Sequence, residues 1–187
     1  LSRDDMAADA RKRLSDGAHN RDGVLARLRD NQDDLYIMSM PPTDMALQDQ
    51  VFRPNPLVVI AAKSHPASRA TSLNLSTLQS EKFILREKGS GTRMAVDRHF
   101  KKNRFTPTVR MALGSNEAIK EAVAGGLGVS VISSHALGAK PQSQGLAVLN
   151  VRGFPLHSQW HLVCPKAKRL SPLALAFQAH LMQDASD

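Results

Sequence analysis

Residues 83–93 read FILREKGSGTR: a short apolar run, then two glycines, a serine, a threonine and an arginine. MAVDRHFKKN follows and has helical character. Hydroxyls placed there cap the first free amides of a helix, and the positive end of the helix dipole attracts an anion. Arg86 and Arg93 flank the turn and add charge. A nucleotide P-loop needs a longer glycine loop closed by Lys-Ser/Thr, and no such lysine is present. A dinucleotide fingerprint needs a third glycine, where Met94 stands. Two readings remain: a site for a small anion, centred on Ser90 and Thr92 with Arg86 and Arg93 nearby, or a tight turn with a cap.

A second stretch, GSNEAIKEAVAGGLGVSVISS, has the same order of strand, polar turn, helix and strand. Ser115 and Asn116 open its helix as Ser90 and Thr92 open the other. Ligands of α/β folds bind at the carboxyl ends of parallel strands, so two such helix starts can face one cleft. For Ser115 alone, a structural cap is the simpler role. IMSMPPTD is a third candidate: a strand end redirected by prolines, with Ser39 and Thr43 beside the turn, read as a plain turn or as a ligand-facing rim.

Catalytic patterns are weak. None of the seven histidines forms His-Glu-x-x-His. His157 and His161 are spaced for one face of a strand near Cys164, but no acidic or cysteine partner is spaced to complete a metal site. Ser133, Ser134 and His135 adjoin without a Gly-x-Ser-x-Gly elbow. Cys164, on an apolar strand, reads as a small buried residue. The expectation is no catalytic residue, no metal and no cofactor.

The elements that must position these residues follow from periodicity. RDGVLARLRDN places Val24, Leu25 and Leu28 on one helical face. DLYIMSM, LQDQVFR and PLVVIAAK read as strands, LNLSTLQS as a short helix, TVRMALG as a strand. In SNEAIKEAVAGG, Ala118, Ile119, Ala122 and Val123 form the apolar face, and Gly125 and Gly126 suit its end. LGVSVISS, GLAVLNV and QWHLVC are strands. SPLALAFQAHLMQ closes the chain as a helix capped by Ser171, with Leu173, Phe177 and Leu181 facing inward. Ala7, Ala10 and Leu14 share one helical face with little other support. The alternation predicts an α/β architecture with largely parallel sheets.

The chain has 187 residues, 42% hydrophobic, enough for one domain or two small lobes. A net charge of +8 and a pI near 10.1 favour anionic partners, from nucleic acid to phosphorylated metabolites. No zinc-finger spacing, heptad-bearing basic helix or aromatic stacking motif supports direct DNA contact. One cysteine excludes an internal disulfide and suits a reducing cytoplasm. No run approaches the roughly 20 apolar residues of a membrane helix. The polar start lacks the apolar core of a secretory signal.

NRDGVLARLRDNQDDLYIMSMPP, NPLVVIAAKSHP, FILREKGSGTR, LGSNEAIKEAVAGGLGVSVIS and FPLHSQWHLVCPKAKRLSPLALAF occur in the order found in one family. Together they resemble the effector-binding domain of LysR-type transcriptional regulators, closest to the regulators of the RuBisCO operon. The resemblance covers about residues 20–184. It implies two α/β lobes of periplasmic-binding-protein type joined by two crossing strands, PLVVIAAK and QWHLVC. Lobe one would hold residues 20–58 and 161–187, and lobe two residues 59–160.

The resemblance also assigns effector contacts: Ser39, Met40 and Pro41 on lobe one, and Ser90, Gly91, Thr92, Ser115 and Asn116 on lobe two, with Arg93 added for charge. Members of that branch respond to phosphorylated or acidic metabolites such as ribulose bisphosphate, phosphoenolpyruvate or phosphoglycolate. The implied protein is cytoplasmic, self-associates as a dimer or tetramer when intact, and reaches DNA only through an N-terminal helix-turn-helix that this chain lacks. Residues 1–19 do not match the family's first strand and helix, and stand as a divergent or unassigned segment. Two other readings remain open: a solute-binding protein of a transport system with the same fold, and a small phosphate-handling enzyme.

Overall fold

The computed structural model describes residues 19–184, so the expectations for residues 1–18 lie outside the described residues. The described residues divide into two units: 19–54 with 159–184, and 55–158. The divisions fall at Pro54/Asn55 and Ser158/Gln159, beside the expected limits of 58/59 and 160/161. Hydrogen bonds explain the placing. The Asn55 amide donates to the Ser158 carbonyl at 2.8 Å, and Leu57 and Leu156 exchange bonds in both directions. Both connecting stretches are therefore held within the second unit.

In the first unit, α1 (Arg21–Arg29) precedes β1 (Tyr36–Met38) and β2 (Leu47–Pro54). Asn20 caps α1 by accepting from the Gly23 amide at 3.0 Å. The remaining elements are β8 (Gln159–Pro165) and α4 (Pro172–Asp184). The sheet order is β1-β8-β2, with β8 antiparallel to both neighbours. Leu28, Tyr36, Met38 and Val163 form its core, with Val24, Leu25, Met45 and Leu47 packed against them. Ser171 caps α4 through the Ala174 amide at 3.2 Å. Leu173, Phe177 and Leu181 are only half-buried there and Leu175 is exposed; Ala174 is the residue the helix buries. The apolar residues of α4 lie all round it, so the spacing that pointed to Leu173, Phe177 and Leu181 as the inner face needs correction.

The second unit holds β3 (Leu57–Ala62), β4 (Lys82–Arg86), α2 (Gly91–Lys102), β5 (Thr108–Leu113), α3 (Asn116–Ala124), β6 (Ser130–Ser133) and β7 (Leu146–Leu149). LNLSTLQS forms only a 3-10 turn, Leu75–Leu78. β4 and β5 pair in parallel, while β3 lies antiparallel between β6 and β7. A parallel bridge, Phe83–Val129, joins the two groups. Its bonds run from the Ile84 amide to the Val129 carbonyl at 2.9 Å and from the Val129 amide to the Lys82 carbonyl at 2.8 Å. Gly128 permits this approach, since a Cβ there would meet the Lys82 carbonyl oxygen at 2.2 Å.

The expected largely parallel arrangement therefore needs correction. β4, β5 and β6 run the same way, but β3 opposes β6 and β7, and β8 opposes β1 and β2. β3 and β8 are the strands the chain makes just after passing from one unit to the other. No crossover helix precedes them, so nothing constrains them to the parallel sense.

Two apolar clusters flank the second unit's strands. One gathers Phe83, Phe100 and Phe105, whose rings meet at 4.9 to 5.6 Å between centroids, with Leu57, Val59, Leu78 and Val96. The other places Ile119 and Val123 of α3 on Ile60, Ile84, Ile132 and Leu146. α2 and α3 are thereby fixed with their first turns at the carboxyl ends of β4 and β5.

Candidate functional site

Strand register brings the two hydroxyl-led turns to one end of the second unit. Arg86, the last residue of β4, pairs with Leu113, the last of β5. α2 begins five residues after Arg86 and α3 three after Leu113. The Glu87 amide donates to the Leu113 carbonyl at 3.2 Å and so extends the ladder into the first turn. Two helix N-termini thus open side by side, for the reason expected from strand–turn–helix order.

Each start is capped by the serine the sequence singled out. The Arg93 amide donates to Ser90 Oγ at 3.4 Å and the Ala118 amide to Ser115 Oγ at 3.1 Å. Ser90 and Gly91 are buried, Thr92 and Asn116 half-buried, Ser115 exposed. The amides of Gly91 and Thr92 in α2, and of Asn116 and Glu117 in α3, belong to first turns and find no acceptor within their helices. Such amides are suited to an oxyanion.

Arg86 links the two starts, a role that spacing alone had left as nearby charge. Its Nη1 donates to Asn116 Oδ1 at 3.3 Å, while Nε and Nη2 donate to Glu87 at 2.8 and 3.1 Å. Its carbonyl accepts from Arg93 Nη1 at 2.9 Å. Arg93 Nε donates to the Asp97 carboxylate at 2.9 Å. The Arg93 guanidinium therefore fastens α2 to the end of β4.

Ser39, Met40 and Pro41 lie in the first unit, just after β1. Ser39 is buried, and Met40 has φ of 56°, left-handed for a residue with a Cβ. Arg21 Nε donates to the Met40 carbonyl at 2.9 Å and holds that turn. No sequence signal marked Met40 for positive φ, because glycine or asparagine usually takes such positions.

The histidine and thiol patterns gain nothing from the structure. His161 Nδ1 meets Asp49 Oδ1 at 2.7 Å across the β8–β2 pair. Cys164 is buried, and that burial raises its thiol pKa, opposite to a reactive thiolate. Among the described residues no group of three His, Cys, Asp or Glu side chains is placed to hold a metal. Nor is any helix among them long and apolar enough to cross a membrane.

Comparison with known proteins supplies a context for this geometry. Residues 15–186 match the LysR substrate binding domain family. A RuBisCO operon transcriptional regulator of Acidithiobacillus ferrooxidans is 45% identical over 168 residues, 90% of this chain and 54% of that protein. The HTH-type transcriptional activator CmpR of a Synechocystis species is 45% identical over 87% of this chain and 53% of its own length. The chain thus spans about half the length of these relatives. They are transcriptional regulators and not transporters.

Among solved structures, the CcmR regulatory domain of Synechocystis, in complex with 2-PG, is 41% identical with a TM-score of 0.86. That match covers 90% of this chain and 81% of the other. The effector binding domain of QuiR, in complex with shikimate, has a TM-score of 0.80 at 19% identity over 90% of this chain and 79% of its own. At that identity the likeness is one of fold.

Proposed function

We propose that this chain, which belongs to the LysR family of transcriptional regulators as their effector-binding domain, senses a small phosphorylated or acidic metabolite and leaves it chemically unchanged. The observation that carries the proposal is the side-by-side opening of α2 and α3 at the carboxyl ends of two paired parallel strands. There Ser90, Gly91, Thr92, Ser115 and Asn116 offer hydroxyl, carboxamide and backbone donors to the ligand's oxygens. Arg93 contributes charge from behind the cap. The CcmR regulatory domain of Synechocystis, 41% identical to this chain, is in complex with 2-PG, which supports reading this domain as one that takes a small molecule.

Binding acts by shifting the population of the domain's states, since a ligand moves an equilibrium only by its difference in affinity between them. In the intact cytoplasmic regulator that shift changes how subunits of a dimer or tetramer dock, and the DNA-binding part of the protein reads the change. That the matched relatives are transcriptional regulators supports binding without turnover.

The test is a thermal-shift screen of sugar phosphates and phosphorylated acids, phosphoglycolate included. One or more should raise the melting temperature by several degrees, the response expected of a ligand well above its dissociation constant. Thr92→Ala combined with Asn116→Ala should remove that rise without changing the unliganded melting point by more than a few degrees. A double variant that responds like the parent places the ligand elsewhere.

A further inference from the structure

Charge is divided unevenly between the two units. Residues 55–158 hold fourteen Lys and Arg against five Asp and Glu, a net charge of +9. The rest of the chain holds eleven against twelve, a net charge of −1. The second unit therefore carries the whole excess of +8. Four of its five acids already face a cation or a histidine: Glu81 faces His65, Glu87 faces Arg86, Asp97 faces Arg93 and Glu117 faces Lys120.

Uncompensated cations gather around the last turn of α2. Arg98, Lys101 and Lys102 are exposed and spaced three and four apart, so they share one face, while Val96 and Phe100 point into the core. Arg104 follows at a φ of 52°, exposed, with its amide donating to the Lys101 carbonyl at 3.1 Å. The next residue, Phe105, is buried against Phe83 and Phe100, which fastens this turn to the core. Arg152, also exposed, comes from a distant loop that lies against α2. In that loop the Phe154 ring meets the His99 ring at 4.9 Å, and a Cβ at Gly153 would lie 3.2 Å from the same imidazole.

Among the described residues none of these five cations makes an ion pair. Asp97, the one acid on α2, is turned to Arg93. Their field reaches the half-buried His99, whose pKa is held below its ordinary value by burial first and by the Lys102 charge second. Cations in a last turn suit the helix dipole, but that does not account for Arg104 and Arg152, which lie outside the helix. The backbone beneath the five is fixed and their long side chains reach into solvent. That arrangement fits a repeating anion better than a single small one.

We propose that Arg98, Lys101, Lys102, Arg104 and Arg152 form a surface that holds the phosphate backbone of duplex DNA. Reading bases needs a motif this chain does not have, but holding phosphates needs only placed cations, so the contact is independent of sequence. The neighbouring Phe100 and Phe105 rings are buried and offer no platform for the bases of a single strand. The matched relatives are transcriptional regulators about twice as long, one of them HTH-type. In an intact regulator of that kind the duplex is tethered close by, and a contact too weak to act alone gains from its effective concentration. The surface thus adds to the DNA contact that the resemblance gives to an N-terminal helix-turn-helix. It is independent of the proposed effector site, which lies at the capped start of α2.

Fluorescence anisotropy with a labelled duplex of arbitrary sequence, titrated with the whole 187-residue chain at several salt concentrations, tests this. The parent is compared with Lys101→Gln/Lys102→Gln and with Lys63→Gln/Lys140→Gln. The second pair removes equal charge from exposed positions after β3 and before β7. Melting temperatures confirm that each folds. The parent should bind at low salt, with log affinity falling against log salt at a slope of about −4 to −5 if all five cations hold phosphates. Lys101→Gln/Lys102→Gln should weaken binding about tenfold or more and flatten the slope by about two, while the other pair follows the parent. Equal losses in both pairs would mean that net charge acts without a defined surface, and overturn the proposal. A parent that binds no duplex at low salt overturns it as well. Equally tight binding to anionic lipid vesicles at matched charge concentration overturns DNA as the partner.

Discussion

Caps and ion pairs carry the residue scale. The serine caps were legible because capping is local: an oxygen and an amide three residues away suffice. Ser115→Ala should cost about 1 kcal/mol of stability in urea unfolding, and Ser115→Asp much less, because either oxygen accepts the Ala118 amide. The link from Arg86 to Asn116 was not legible, since it joins residues 30 apart through strand register.

Arg27 illustrates what such pairs do with pH. Its hydrogen bonds at 2.7 and 2.6 Å hold the Asp33 carboxyl below its ordinary value. The unfolded chain then takes the proton more readily than the folded one. Stability from the pair is complete above the unfolded value of about 3.9 and is lost as pH falls through the lower folded value. Both side chains are 37% exposed, so the contribution is modest. Arg27→Ala should flatten the loss of stability below about pH 4, measured as urea midpoints across that range.

At the scale of elements, helices were read well where one face is apolar. α3 buries Ile119 and Val123 as its spacing required and leaves Ala118 exposed. Ile119→Ala, at a position with no exposure, should cost about 2–5 kcal/mol and loosen the turn that presents Asn116. Phosphoglycolate affinity should fall alongside, a loss that a conservative Ile119→Val change avoids. The sense of the strands was less legible. An apolar run such as LVVIAA satisfies a parallel or an antiparallel neighbour equally, because both faces are covered either way. Direction came from chain routing, and periodicity carries no record of routing.

For the whole molecule, the ordered set of family segments gave more than any motif, since five of them in sequence leave few alternatives. The two units differ in what holds them together. The second unit carries two apolar clusters, among them fully buried Phe83, Ile60 and Ile132. Among the described residues, the first is built on one small cluster around Leu28 and Met38. Native-state hydrogen exchange should therefore show slower amides in β3, β6 and β7 than in β1 and β2, by about tenfold for each 1.4 kcal/mol of difference in opening. Equal protection in the two sets would mean that they open together.

The position of β8 bears on how the protein is made. The middle strand of the first unit's sheet is drawn from the last thirty residues of the chain, while everything the second unit needs lies between Asn55 and Ser158. On the ribosome the inner segment can mature first. β1 and β2, although synthesised earlier, wait with open edges until β8 emerges between them. A nascent chain stalled before residue 159 would display those edges to other chains, and a chaperone that shields extended strands would find its client at that moment.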